Sequence, residues 1–162
     1  MRTDLNIMPL SAVQPDALVE LAKQGHPFIR PRGESDYWLY GRLFSSTCKV
    51  AMLDDRPVGF IVAFRDQDHP EELYIQDLVI YQEARRQGIA TALLEAVLSS
   101  AKALGCERAW LTSELENDAA HRTWCRNGFT NPPADRKVGE LWVTDDLKGP
   151  GKHRVIYEYS IS

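Results

Sequence analysis

The chain is short of cysteine, of long apolar runs and of positive charge, and each shortage removes a class of protein. Cys48, Cys106 and Cys125 are an odd number of thiols without a C-x-x-C spacing. Reduced, partly buried thiols are therefore expected rather than a disulfide framework. No stretch approaches the roughly 18 apolar residues of a membrane-spanning helix. Lys and Arg total 19 against 23 Asp and Glu, a formal net charge of -4 with no long basic run. That balance argues against non-specific nucleic-acid binding. Neither a nucleic acid nor a membrane is expected as a partner. Asp4 stands where a secretory leader would need a basic and then an apolar segment, so the expected compartment is the cytoplasm. His26, His69, His121 and His153 show no H-E-x-x-H spacing, and no metal is expected.

What is present suits one compact domain over residues 1–162. Apolar residues make up 44% and charged residues 26% of the 162 positions, and a chain of this size buries roughly two thirds of its unfolded surface. There is no internal repeat and no linker-like stretch. Asn6 to Leu10 reads as a strand, Pro15 to Gln24 as an amphipathic helix closed by Gly25, and Asp36 to Phe44 as a second helix. Thr47 to Leu53 and Pro57 to Phe64 flank a turn at Asp54-Asp55-Arg56, and Leu73 to Ile80 is a third apolar β run. Ile89 to Leu104 carries a helical stripe that ends at Gly105. A strand at Glu107 to Thr112 follows, then a short helix capped by Asn117 or Asp118. Strands at Leu141 to Thr144 and Arg154 to Ser160 complete the order. This is an α/β (α+β) domain around one sheet.

The chemistry concentrates where the third β run feeds Arg85-Arg86-Gln87-Gly88-Ile89-Ala90-Thr91 and then the long helix. A turn entering a helix N-terminus points unpaired N–H groups outward, with the positive end of the helix dipole behind them. Gly88 allows close approach to the backbone. Such a nest suits a pyrophosphate. The segment fits neither the P-loop nor G-x-G-x-x-G, which disfavours nucleoside triphosphates and dinucleotides.

Arg85-x-x-Gly88-x-Ala90 resembles the acetyl-coenzyme A signature of the GNAT superfamily of N-acetyltransferases. Gln76-Asp77-Leu78-Val79-Ile80 looks like that family's fourth strand, and Asn117-x-x-Ala120-x-x-x-Trp124-x-x-x-Gly128-Phe129 is similar to its later motif. The motif region further resembles small aminoglycoside 3-N-acetyltransferases, mostly in cofactor-binding residues. The resemblance implies a mixed, mostly antiparallel central sheet of about seven strands with helices on both faces. It implies acetyl-CoA as cosubstrate and a small-molecule amine as acceptor. It assigns Leu78, Val79 and Ile80 to backbone bonds with the pantetheine arm, and the amides of Arg85, Arg86, Gln87, Gly88, Ile89, Ala90 and Thr91 to the pyrophosphate. Asn117 would contact the pantetheine, and Arg126 either a cofactor phosphate or only the helix dipole. The oligomeric state, a homodimer included, is left open.

The reaction so implied is direct attack of a neutral amine on the thioester, which needs a group to take a proton. Asp77, Glu114 and Glu116 are the candidate bases. Gln76 and Tyr74 lie on the acceptor side, where Gln76 could position a water, and a buried structural role for Asp77 competes with the catalytic one. The family's usual proton-donating Tyr is replaced by Trp124, whose indole N–H does not ionise. Tyr157, Tyr159, His121 and Cys125 are the substitutes to examine, although a thiolate can leave unaided. The resemblance puts Glu34, Asp36, Asp145 and Asp146 in loops flanking the acceptor, where acids would attract a cationic amine; solvated surface charges are the competing reading. Protein lysine or N-terminal acetylation, and a catalytically silent acyl-CoA-binding domain, are the competing functions.

Overall fold

A buried apolar run, Val58 to Ala63, lies along one strand with both faces covered, and the rest of the fold is arranged around it. The computed structural model describes residues 4–162; the first three, on which part of the leader reading rests, lie outside the described residues. In chain order the elements are β1 (Leu5–Pro9), α1 (Pro15–Ala22), α2 (Glu34–Leu43), β2 (Lys49–Leu53), β3 (Arg56–Arg65), β4 (Glu72–Ile80), α3 (Ile89–Ala103), β5 (Arg108–Ser113), α4 (Asp118–Arg126), β6 (Arg136–Val138), β7 (Leu141–Val143) and β8 (Val155–Ser160). Each expected element is present, with ends moved by at most two residues.

The sheet has the order β1-β2-β3-β4-β5-β8. Every neighbouring pair is antiparallel except β4 with β5. It is the expected mixed sheet with six strands rather than about seven, because β6 and β7 pair only with each other in a separate ribbon. Helices cover both faces. Leu93 and Val97 of α3 and Trp124 of α4 pack on Ile61, Ile75 and Leu111. Leu18 of α1 and Tyr37 of α2 pack on Phe60, Val62 and Val79 from the other side. Helix α3 buries Ile89, Leu93, Val97 and Ala101, one face at four-residue spacing. It stops because Gly105 takes φ +91, letting Cys106 N–H reach the Ala101 carbonyl at 2.9 Å and Gly105 N–H reach Lys102 at 3.0 Å.

One irregularity positions the site. The β3–β4 register passes from Val62–Asp77 to Ala63–Ile75 and leaves Gln76 as an extra residue. A bulge of one residue exchanges the faces of a strand. Leu73 and Ile75 before it face α3, and so do Leu78 and Ile80 after it. Val79 faces α1 and α2 instead. Asp77, with the same parity as Val79, is turned to that side, where Arg32 meets it.

Candidate active site

The parallel ladder of β4 and β5 runs from Glu72–Arg108 to Ile75–Leu111 and ends there. Beyond it β4 continues to Ile80 while β5 ends at Ser113, so the two strands leave a gap. Tyr81 N–H bonds the Val58 carbonyl at 2.7 Å. Antiparallel alternation then turns the backbone groups of Asp77 and Val79 toward β3, and those of Leu78 and Ile80 into the gap. Leu78 and Ile80 therefore suit the bonds expected of them, while Val79 has its backbone groups committed to β3. That corrects the assignment of all three residues to the same role. The Ile80 carbonyl accepts from Arg85 Nε at 3.2 Å.

At one end of the gap lies the nest. Arg86 at φ 65 and Gly88 at φ 76 turn the backbone so that successive amides converge at the start of α3. Among the described residues, the N–H groups of Arg86, Gln87, Gly88, Ile89, Ala90 and Thr91 have no acceptor within the protein. Arg85 departs from expectation. Its N–H bonds the Gln82 carbonyl at 3.3 Å, and its guanidinium spans Ile80 and the Gln24 carbonyl. It braces the turn and does not supply an amide to it. Thr91 Oγ1 donates to Asn127 Oδ1 at 2.8 Å, which brings the end of α4, and with it exposed Arg126, beside the nest.

At the other end is a cleft of about 500 Å³ whose walls include Gln76, Asp77, Leu78, Glu114, Asn117 and Trp124. The structure thus brings together Gln76, Asp77 and Glu114, expected for chemistry, with Leu78 and Asn117, expected for the pantetheine. Glu116 is not among the cleft walls. Asn117 fills the capping one of its two expected roles. Its Oδ1 accepts from Ala120 N–H at 3.2 Å and caps α4, while its Nδ2 has no acceptor among the described residues.

Asp77 is 6% exposed, with Arg32 Nη2 at 3.3 and 3.5 Å from its two oxygens. Burial pushes its carboxyl pKa up, and Arg32 and then Lys148 oppose that rise. Glu114 is more open and lies 3.7 Å from Arg154. Tyr74 shares its hydroxyl with Thr112 at 3.3 Å and accepts from Lys148 Nζ at 2.6 Å. Trp124 is 7% exposed and packs on Phe129 with ring centroids 5.3 Å apart.

The acids expected around the acceptor are elsewhere. Asp36 accepts from Gly33 N–H at 3.0 Å at the start of α2, and Asp145 pairs with Arg136 and His153. Asp146 accepts from Gly151 N–H at 2.7 Å. None of them, nor Glu34, lines the cleft. Sequence reasoning missed the residues that do: Arg30 and Arg32 in the α1–α2 loop, and Lys148, Lys152 and Arg154 before β8. No local pattern marks them, since they converge only in three dimensions. Among the described residues, no group of three or more His, Cys, Asp or Glu side chains could hold a metal, and no helix is long and apolar enough to cross a membrane.

Residues 16–129 match the model of the acetyltransferase (GNAT) family, and the chain belongs to that family. It is 33% identical over 104 residues to the L-2,4-diaminobutyric acid acetyltransferase of Methylotuvimicrobium alcaliphilum, covering 60% of this chain and 58% of that protein. It is 38% identical over 82 residues to N-alpha-acetyltransferase 30 of Schizosaccharomyces pombe, covering 49% and 55%. These matches span less than two thirds of either relative's own length. Among solved structures, Ard1 from Thermoplasma volcanium superposes with a TM-score of 0.79 at 17% identity, covering 99% of both chains. The diaminobutyrate acetyltransferase of Paenibacillus lautus, solved with its substrate L-2,4-diaminobutyric acid and coenzyme A, gives 0.78 at 21% identity, covering 98% of this chain and 96% of that one.

Proposed function

We propose that the chain is an acetyl-CoA-dependent N-acetyltransferase that passes an acetyl group directly to a primary amine of a small molecule. The observation that carries this reading is the free edge of β4. Leu78 and Ile80 turn backbone groups into a gap with the nest of unpaired amides at one end and the cleft at the other. An extended pantetheine pairs with that edge, its pyrophosphate meets the amides of Arg86 to Thr91, and Asn117 Nδ2 donates to it. The acetyl group then lies in the cleft.

An ammonium has no lone pair, so the acceptor must lose a proton before it attacks. Asp77 and Glu114 are the two carboxylates lining the cleft, and Gln76, displaced by the bulge, orients a water between amine and carboxylate. The amine nitrogen bonds the carbonyl carbon, the Leu78 N–H in the gap donates to the oxygen as it gains charge, and the C–S bond breaks to release the coenzyme thiolate as the nitrogen gives up its second proton to solvent. The names of the diaminobutyrate acetyltransferases support a small amine as acceptor. The name of N-alpha-acetyltransferase 30 favours a second reading, in which the amine is a peptide N-terminus.

Thiol release from acetyl-CoA, followed with diamines beside a peptide panel, tests both readings. Release with small amines and none with peptides is expected. Release with peptides alone would establish the second reading, and acetyl-CoA binding without release under any acceptor would leave a silent binding domain.

A further inference from the structure

The chain as a whole is acidic, at -4, yet its cleft is not. Five cations, Arg30, Arg32, Lys148, Lys152 and Arg154, stand against two acids, Asp77 and Glu114. Each acid already has a cation, Arg32 at 3.3 Å from Asp77 and Arg154 at 3.7 Å from Glu114. Among the described residues, Arg30, Lys148 and Lys152 have no carboxylate within ion-pair distance. The residual charge of the cleft is therefore positive by three, opposite in sign to the molecule that carries it.

The cofactor does not account for that charge. Its phosphates belong to the nest, and no residue from Arg85 to Thr91 lines the cleft. The cations are also held in place. Asp146 at φ 52, Gly149 at φ 123 and Gly151 at φ 75 fold residues 146–152 into a tight loop. Gly149 N–H bonds the Asp146 carbonyl at 3.1 Å, Lys152 N–H bonds Gly149 at 2.9 Å, and the Asp146 carboxylate takes Gly151 N–H. The one acid of this segment, Asp146, builds the loop, and its lysines reach the cleft. Lys148 is fixed further by Tyr74, donating to the hydroxyl at 2.6 Å with its charge 5.1 Å from the ring centroid. From the α1–α2 loop, Arg32 reaches the same place, since both Arg32 and Lys148 act on the Asp77 carboxylate.

An acceptor bearing only ammonium groups, such as a polyamine or an aminoglycoside, would enter this field against repulsion. An amine that also carries a carboxylate would find three unneutralised cations for the carboxylate and Asp77 for the amine proton. We infer that the acceptor is an amino-acid-like amine with a free carboxylate, and that Lys148, with Arg30 and Lys152, determines this specificity. The inference rests on the N-acetyltransferase reading above and narrows its substrate class.

A matched pair of acceptors tests it, because L-2,4-diaminobutyrate and 1,3-diaminopropane differ only by the carboxylate. Thiol release is measured with each, at low and high salt, with kcat/KM corrected for the fraction of free amine. The carboxylated acceptor is expected to be preferred by about thirtyfold or more, with the preference shrinking as salt screens the exposed cations. In the double variant Lys148→Met/Lys152→Met that preference should narrow by about tenfold, chiefly through KM for the carboxylated acceptor. Equal or better use of 1,3-diaminopropane would overturn the inference while leaving the acetyltransferase reading intact. A preference unchanged in the double variant, or acetylation confined to peptide N-termini, would do the same. No thiol release with any acceptor would overturn the reading beneath it, and this inference with it.

Discussion

The Tyr157 hydroxyl meets Nδ1 of His121 at 2.8 Å, inside the protein between β8 and α4. His121 Nε2 lies 2.9 Å from the Leu115 carbonyl, which can only accept, so in the neutral ring the proton sits on Nε2 and Tyr157 donates to Nδ1. Tyr157 is fully buried, and burial pushes its phenol pKa well above the usual range. Neither residue lines the cleft. The pair ties β8, α4 and the β5–α4 turn together beneath the site. Tyr157→Phe leaves Nδ1 without its donor and should lower unfolding stability in urea by about 1–2 kcal/mol. Turnover should stay within a few-fold of the parent. A hundredfold loss of turnover at unchanged stability would make Tyr157 the missing proton donor instead.

Asp77 and Arg32 should set the acid side of the pH profile. Burial raises the Asp77 pKa, and Arg32 is the larger of the two influences that lower it. Arg32→Met therefore moves the Asp77 ionisation to higher pH, and with it the acid limb of kcat/KM if Asp77 receives the amine proton. Asp77→Asn should abolish that limb. The folded chain holds this proton more tightly than the unfolded chain, so the stabilisation is complete below the unfolded pKa and is lost as pH climbs through the folded one. Arg32→Met should steepen that loss in chemical denaturation across pH, and Asp77→Asn should remove it. An acid limb that stays in place in both variants would assign the base to Glu114 or to solvent.

The parts of the fold written in local signals were legible in the sequence. The α3 stripe with Gly105 behind it, the apolar run of β4 and the Asn117 cap each depend on residues within a few positions. The Gln76 bulge was not legible, because it exists only relative to β3. Neither was β6, where Arg136, Lys137 and Val138 are all exposed and carry no alternating pattern. The cationic character of the cleft was not legible, for a physical reason. Short acids at a helix start or in loops, such as Asp36, Asp145 and Asp146, are spent on nearby backbone and side-chain donors. Long cations from the 30–32 and 148–154 segments extend across to one place. Loop composition records both kinds of residue, but not which of them reaches the site.

Asn117 uses one side-chain atom and leaves the other, Oδ1 capping α4 and Nδ2 without an acceptor among the described residues beside the cleft. Asp caps about as well as Asn and adds a charge favoured at a helix N-terminus, so Asn117→Asp should hold or slightly raise the melting temperature. It cannot donate to the pantetheine, and its carboxylate would face the acceptors there. The Michaelis constant for acetyl-CoA should rise by about tenfold, the loss expected for one buried hydrogen bond with a charge left opposing it. Unchanged kinetics in a protein of equal or greater stability would reduce Asn117 to a cap.

Trp124 tests whether the departing thiolate needs an acid at all. The residue is nearly buried, packed against Phe129 with the rings tilted by 60°, and presented to the cleft at the position where the resemblance expects tyrosine. Its indole N–H donates a hydrogen bond but does not ionise. A thiol has a pKa of roughly 8.5, so the thiolate is a competent leaving group near neutral pH. With no acid to titrate, the wild-type rate should rise as the amine and its base lose protons and then level off, without a descending limb at high pH. Trp124→Tyr exchanges a large packed ring for a smaller one and should cost roughly 1–3 kcal/mol of stability. Turnover should change modestly. The measurement is kcat against pH for both proteins. A tenfold or larger gain in Trp124→Tyr, with a new descending limb near pH 10 where a phenol ionises, would show that the step is limited by proton donation. A descending limb already present in the wild type would show that another side chain supplies the proton.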